Sequence, residues 1–321
     1  MRRPFISIII PLYIIDERFF GNLEKFRRLN YSQFEILVVC DQKIKLPKQP
    51  NLKLILTGKN RTGPAEKRDL AIQIAKGELC AFIDDDAYPH QDWLRNAVSH
   101  FGDKQIAAVG GPGLTPPEDN FWEQITGLIC LSPLCGGPTQ HRFKKAKATL
   151  VEDYPAYNLI IKKEVLKQVG GYGSYFYGGE DTFLCLKIIK AGFKILYNPE
   201  VMVYHHRRRL LWPYLKQISN IGKHRGYFAK KFPQTSRRLF YFFPSIATLL
   251  FVFLLIFSLF STVVGQLFLG FLLAGFITAF LSLSAKASFL RKLLAVLGIF
   301  LTHLTYGVAF LQGLLTKKIV R

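Results

Sequence analysis

Three consecutive aspartates, Asp84, Asp85 and Asp86, follow directly on the apolar run Leu79-Cys80-Ala81-Phe82-Ile83. Adjacent carboxylates repel one another, and a hard divalent cation with oxygen ligands relieves that repulsion. A single aspartate here would read as a helix cap in a solvated loop; three at the end of a buried strand point to a metal or phosphate site. A second acidic cluster lies in Gly178-Gly179-Glu180-Asp181. Its glycines allow a tight turn, and Glu180 and Asp181 open a helix whose N-terminal dipole steadies a carboxylate. The two clusters divide the labour: one holds a metal bridging a diphosphate, while a separate carboxylate accepts a proton from an attacking hydroxyl. A third stretch, Val203-Tyr204-His205-His206-Arg207-Arg208-Arg209, offers imidazoles as metal ligands and guanidiniums that suit phosphate oxygens.

The elements that must position these groups alternate. Phe5 to Ile10, Glu35 to Cys40, Leu52 to Leu56 and Leu79 to Ile83 carry the apolar, β-branched composition of strands. Between them, Asp16 to Leu29 reads as a helix, and Gly63-Pro64 opens another that runs through Ala75 and closes at Gly77. Ala156 to Ile161 and Phe193 to Tyr197 add later strands, with a helix from Asp181 to Ala191 between them. This alternation implies an α/β fold with a mostly parallel sheet and helices on both faces. The segment Gly110 to Thr149, rich in Gly, Pro and Lys, is too long for a simple connection and is expected to be a functional lid or a mobile region.

The 321 residues suffice for one large domain or two ordinary ones. Lys and Arg number 43 against 22 Asp and Glu, and no acid follows Glu200. An uncompensated basic field of this kind favours an anionic partner. Five cysteines, an odd number without zinc-like spacing, are expected to be reduced thiols of a cytosolic compartment, with Cys130 and Cys135 the pair close enough in sequence to bond instead. The short apolar run after Arg2-Arg3 is broken by Pro11 and lacks a small-residue cleavage site, so it reads as a first strand rather than a signal peptide.

Composition changes sharply near residue 239. Phe240 to Phe260, Val264 to Ser284 and Leu293 to Leu315 are apolar runs of bilayer-crossing length. Lys286, Arg291 and Lys292 in the second link place it in the cytoplasm with the basic N-terminal domain. A third crossing would carry Lys317, Lys318 and Arg321 outside, against the same rule; that segment either spans at some cost or lies partly in the interface. Arg207 to Arg238 carries ten Lys and Arg, no acid, and interleaved aromatics, which suits a helix on anionic headgroups better than a nucleic-acid surface. The expected domains are therefore 1–206, a juxtamembrane segment 207–238, and a transmembrane domain 239–321.

Four motifs in order resemble one family. Ser7-Ile8-Ile9-Ile10-Pro11-Leu12-Tyr13 is similar to the opening strand of family 2 glycosyltransferases with the GT-A fold, a Rossmann-like mixed sheet. Gly63-Pro64-Ala65-Glu66-Lys67-Arg68-Asp69 resembles their helix start beside the nucleotide, Asp84-Asp85-Asp86 their Asp-x-Asp metal motif, and Gly179-Glu180-Asp181 their Glu-Asp catalytic motif. The resemblance implies Asp181 as general base supported by Glu180. It implies Asp86, Asp84 and His206, with His205 as the alternative imidazole, around Mn²⁺ or Mg²⁺. Nucleotide-sugar contacts would come from Pro11, Tyr13, Asp41, Lys67, Arg68, Asp84, Asp85, Arg207 and Arg208, with Asp41 and Arg68 at the base. The second strand ends Cys40-Asp41-Gln42 where many members carry Asp-Asp-Gly-Ser, and the Gln-x-x-Arg-Trp motif of processive synthases is absent. What is implied is a membrane-anchored inverting glycosyltransferase of the cytoplasmic membrane. It would move a sugar from a nucleotide-diphosphate donor to a lipid or cell-envelope glycan acceptor. The alternative is a membrane-tethered nucleotide-sugar-binding scaffold without turnover.

Overall fold

The computed structural model describes residues 3–174, 176 and 178–319; Met1, Arg2, Tyr175, Tyr177, Val320 and Arg321 lie outside them. In chain order come β1 (Ile6–Pro11), α1 (Glu17–Lys25), β2 (Phe34–Cys40), β3 (Leu52–Leu56), α2 (Pro64–Ile74), β4 (Leu79–Phe82), β5 (Ala87–Pro89), α3 (Trp93–Val98), β6 (Ile106–Gly110) and β7 (Gly113–Leu114). Next are α4 (Phe121–Leu131), α5 (Pro133–Gly136), β8 (Thr149–Val151), β9 (Leu159–Lys162), α6 (Lys163–Gln168), α7 (Glu180–Lys190), β10 (Lys194–Tyr197) and β11 (Val203–His205). Five helices close the chain: α8 (Trp212–Lys231), α9 (Pro233–Ser236), α10 (Leu239–Phe257), α11 (Thr262–Leu281) and α12 (Phe289–Leu315). They divide into two compact units. One runs to Pro116 and resumes over Lys144–His206; the other is Pro117–Phe143 together with the chain from Arg207 onward.

The first unit is built on an eight-stranded sheet of order β3-β2-β1-β4-β9-β6-β10-β8. β1, β2, β3 and β4 pair in parallel, as do β6 and β10, whereas β9 runs antiparallel to both β4 and β6. The central strands are buried on both faces, which is why β1 (Ile6, Ile8, Ile9, Ile10) and β2 (Ile36, Leu37, Val38, Val39) are nearly continuous apolar runs, broken only by Ser7 and Glu35, rather than alternating ones. One core cluster collects Ile8, Ile10, Val38, Trp93 and Ile160, the other Ile9, Val39, Phe82, Leu184 and Ile195.

Two differences from expectation have local causes. Ala156–Asn158 is a 3-10 turn and not the start of a strand, because the buried Asn158 amide donates to Gly111 and Val201 carbonyls at 2.6 and 2.7 Å and accepts from Trp93 Nε1 at 2.8 Å. The long Gly110–Thr149 segment is not one loop. Its Asn120 caps α4 while Glu123 returns a bond to the Asn120 N–H, so a capped helix forms there.

In the second unit, three helices among the described residues are long and apolar enough to cross a membrane: α10, α11 and α12. Ile125, Ile129, Leu210, Tyr214, Ala295 and Ile299 share one apolar cluster, which fastens α4 and the start of α8 to α12. All five cysteines are free thiols.

Candidate active site

The carboxyl ends of β1, β2 and β4 carry Pro11, Asp41 and Asp84, and α2 supplies the cations that face them. Gly63 and Pro64 start α2, with the Glu66 carboxylate accepting the Gly63 N–H at 3.0 Å. The next two positions of that helix are buried cations pointing to different partners. Lys67 Nζ donates to the Leu12 carbonyl at 2.7 Å and meets Asp41 Oδ2 at 3.0 Å, lying 3.8 Å over the Tyr13 ring. Arg68 reaches Asp84 Oδ1 at 2.7 Å, Glu180 Oε1 at 3.3 Å and Asp181 Oδ1 at 3.3 Å. One guanidinium thus serves three carboxylates, and the cluster retains a negative excess that favours a further cation.

The three aspartates after β4 face different ways. Asp85 turns back to the chain after β1, where Oδ2 accepts the N–H groups of Tyr13 and Ile14 at 2.6 and 3.1 Å. Burial, with Asp86's charge beside it, pushes its carboxyl up to about 7. Asp84 and Asp86 sit with His205, their ligand atoms all within 4.8 Å of one another. His205 reaches this pair through a small sheet, β5-β11-β7, whose antiparallel register sets His205 opposite Ala87. Its Nε2 lies 3.0 Å from Asp86 Oδ1, its ring packs on Tyr157 at 4.5 Å between centroids, and its buried Nδ1 has no hydrogen-bond partner among the described residues. Two carboxylates and an imidazole suit Mn²⁺ or Mg²⁺.

His206, assigned to the metal from sequence, is not the imidazole brought to Asp86. Its N–H donates to the Asp86 carbonyl at 3.0 Å, while its Nε2 lies 3.2 Å from Asn22 Oδ1 and its ring leans on Tyr88. Successive residues of a strand project to opposite faces, so only one of the two can face the carboxylates, and it is His205.

Gly178 adopts φ 111°, a conformation that favours glycine, and its N–H donates to Glu180 Oε2 at 2.7 Å. Glu180 is therefore tied on one oxygen by its own turn and on the other by Arg68. Asp181 takes the Ala156 N–H on Oδ2 at 3.0 Å and keeps 24 % of its side chain exposed, an open edge for an acceptor. Burial raises its carboxyl to about 7, with Glu180 adding to the rise and Arg68 opposing it. A carboxylate poised there suits general-base work at neutral pH.

Asp41 has a different character. Its Oδ1 accepts from the Thr57 and Thr62 hydroxyls at 2.7 and 2.6 Å, and its Oδ2 from the Thr62 N–H at 3.2 Å and from Lys67. Those hydrogen bonds outweigh burial and hold its carboxyl at about 2. With every lone-pair position taken, contact with a base requires exchange of one of these bonds. Tyr13 donates its hydroxyl to the Thr62 carbonyl, closing the same loop from the other side. Arg207 and Arg208 belong to the second unit, where the Arg207 N–H donates to Asp119 at 3.1 Å and its guanidinium lies over Phe143.

Sequence reasoning missed Tyr157, which backs His205, and gave no role to Asp69, which closes the Gly63–Asp69 motif and whose carboxylate accepts the Tyr172 and Gly173 N–H groups at 2.6 and 2.9 Å, so pinning the loop ahead of Glu180. Tyr157 has no local sequence signal, and the Gly63–Asp69 motif does not reveal what Asp69 holds, because each acts across more than 40 residues of chain.

A mixed, mostly parallel sheet with paired carboxylates at its strand ends and a Glu-Asp turn opening a helix defines a GT-A nucleotide-sugar transferase. The mannosyltransferase PcManGT from Pyrobaculum calidifontis, solved with GDP-Man and Mn²⁺, superposes over 99 % of this chain and 89 % of its own at TM-score 0.58 and 19 % identity. Residues 7–170 match the model of glycosyl transferase family 2, and the chain belongs to that family. It is a glycosyltransferase. A dolichyl N-acetyl-alpha-D-glucosaminyl phosphate 3-beta-D-2,3-diacetamido-2,3-dideoxy-beta-D-glucuronosyltransferase of Methanococcus voltae is 26 % identical over 245 residues, 71 % of this chain and 74 % of that protein. A glucosyl-dolichyl phosphate glucuronosyltransferase of Haloferax volcanii is 22 % identical over 228 residues, 62 % of this chain and 68 % of that one.

Proposed function

We propose that this glycosyltransferase is anchored in the cytoplasmic membrane and transfers a sugar, with inversion, from a nucleotide-diphosphate donor to a lipid-linked or cell-envelope glycan acceptor. The observation that carries the proposal is the separation of two carboxylate sets by Arg68: Asp84 and Asp86 with His205 on one side, Glu180 and Asp181 on the other. A divalent ion held by Asp84, Asp86 and His205 would supply charge neutralisation for the donor diphosphate. Asp181 takes the proton from the acceptor hydroxyl as its oxygen attacks the anomeric carbon. The bond to the nucleoside diphosphate breaks on the opposite face, which inverts the configuration. Arg68 holds Asp181 in place and limits its rise in pKa, while the charge of Glu180 adds to that rise. Tyr13 and Asp41 hold the loop Thr57–Thr62, and Lys67 ties Asp41 to the wall beside β2.

A lipid acceptor is supported by three apolar helices in the same chain and by the dolichyl-linked chemistry that the names of two relatives carry. Lys286 between α11 and α12, with Arg291 and Lys292 in the first turn of α12, supports a cytoplasmic site. When the acceptor is a phosphate, its oxygen is already ionised and Asp181 is needed less. The test is nucleoside diphosphate release from a panel of nucleotide sugars, with membrane lipid extract as acceptor. Release that requires the extract supports the proposal. Release unaffected by any lipid or glycan overturns the acceptor assignment.

A further inference from the structure

We infer that α12 does not cross the membrane: it lies with α8 along the membrane–water boundary, and only α10 and α11 span. This rests on the membrane anchoring proposed above. The link Ser258–Ser261 is so short that α10 and α11 form an antiparallel hairpin, with the start of α10 and the end of α11 on one side. α12 leaves from that side. A third crossing would therefore run parallel to α10 and meet residues ever farther from the α10 start.

The contacts run the other way. His303 accepts on its carbonyl from Thr248 Oγ1 at 3.2 Å, Gly307 from Ser245 Oγ at 3.1 Å, and Phe310 stacks edge-on against Phe242 at 4.8 Å. As α12 advances by seven residues its partners step back by six, toward the start of α10. Its first half meets the last turns of α11, through Phe289 on Phe280 and Lys292 over the same ring at 5.1 Å. α12 thus bridges the open end of the hairpin. The closed end is bare: Leu259 and Phe260 are 78 and 80 % exposed, as an apolar hairpin tip in lipid would be.

α8 gives a second, independent reason. It runs beside α12 from the Tyr214–Thr302 hydroxyl contact at 2.9 Å to Lys230, whose Nζ donates to the Leu314 and Thr316 carbonyls at 2.8 and 2.7 Å. The backbones touch along the way. A Cβ at Gly226 would lie 2.0 Å from the Phe310 oxygen, and one at Gly313 would lie 2.1 Å from the Lys223 oxygen. α8 carries Lys216, Lys223, Arg225, Lys230 and Lys231 without an acid, so it cannot enter the hydrocarbon, and it holds the second half of α12 out as well. Buried residues make up 44 % of the most apolar window of α12, against 11 and 6 % in α10 and α11. The arrangement leaves Lys317 and Lys318 on the same side as Lys286, Arg291 and Lys292, and the charge conflict of a third span disappears. The cations of α8 then face the anionic headgroups of that leaflet.

The test is labelling of the full-length protein with a membrane-impermeant maleimide in intact cells and in inverted vesicles, using Phe260→Cys, Lys286→Cys and Lys318→Cys with the parent chain as blank. All three positions are exposed, so folding is spared. The inference expects Lys286→Cys and Lys318→Cys to label from one side and Phe260→Cys only from the other. If Lys318→Cys and Phe260→Cys label from the same side and Lys286→Cys from the opposite one, α12 crosses and the inference is overturned. If all three label from one side, the membrane-spanning reading itself fails.

Discussion

Arg68 donates to Asp181 across 3.3 Å while its other terminal nitrogen holds Asp84 at 2.7 Å, so a single buried side chain of α2 sets the spacing between the two acidic sets. Replacing Arg68 by alanine leaves Asp84, Glu180 and Asp181 facing one another uncompensated. The expected cost is about 3 kcal/mol of stability, the scale for breaking a buried ion pair. Arg68→Lys recovers part of the stability but little activity, because one ammonium cannot fork between three carboxylates. Thermal melts in detergent and turnover measured on the same two variants check this.

Asp181 should govern the pH dependence. Its carboxyl is raised to about 7, so it is protonated and inert as a base below that value and active above it. With a hydroxyl acceptor, kcat/KM should rise through about pH 7, and Asp181→Asn should lose about 10²- to 10⁴-fold in kcat. With a phosphate acceptor both effects should be small. Turnover of Asp181→Asn equal to wild type with a hydroxyl acceptor contradicts the base assignment.

Metal demand should separate the two neighbouring histidines. His205→Ala removes a ligand atom from the Asp84–Asp86 set, and the divalent ion needed for half-maximal activity should rise by about 10- to 100-fold. His206→Ala loses a contact to Asn22 and should leave that requirement unchanged. Activity titrated against Mn²⁺ reads both.

Asp41 should contribute acid sensitivity. Its folded value of about 2 lies below the ordinary 3.8, so its ionised form stabilises the fold above about pH 4 and that stabilisation is lost as pH falls toward 2. The shift corresponds to about 2 kcal/mol. Wild type and Asp41→Asn should therefore differ in melting temperature at pH 6 and converge near pH 2.

The α8–α12 contact should be intolerant of added volume. A methyl at Gly226 meets the Phe310 carbonyl, and Gly226→Ala should cost about 1 to 3 kcal/mol as the two backbones separate. Gly270, with open space around its Cβ position, serves as the tolerant control. Detergent melts of the two variants give the comparison.

The strands that carry the site were legible because β1, β2 and β4 are nearly continuous apolar runs leading to Pro11, Asp41 and Asp84, and α2 announces itself by Gly63-Pro64. β6 was not, since Ala107, Ala108 and Gly110 are weak β-formers that pair only because β9 and β10 flank them. The choice between His205 and His206 was out of reach: β11 has three residues, too few to show an alternation, and its facing is set by register with Ala87. The capping box of Asn120 and Glu123 was visible inside the expected lid and marks α4, but Gly, Pro and Lys around it masked the signal. Tyr157 and the role of Asp69 were illegible for a simpler reason, since what they do exists only once distant segments meet.

The proposed assignment is that Asp84, Asp86 and His205 hold the ion for a donor whose transfer Asp181 completes. It is tested most directly by nucleoside diphosphate release from the preferred nucleotide sugar by wild type and Asp86→Ala, with Mn²⁺ and acceptor present. The expected result is release by wild type that is lost on chelation and in Asp86→Ala. Undiminished release by Asp86→Ala, or pyrophosphate as the product, would contradict it.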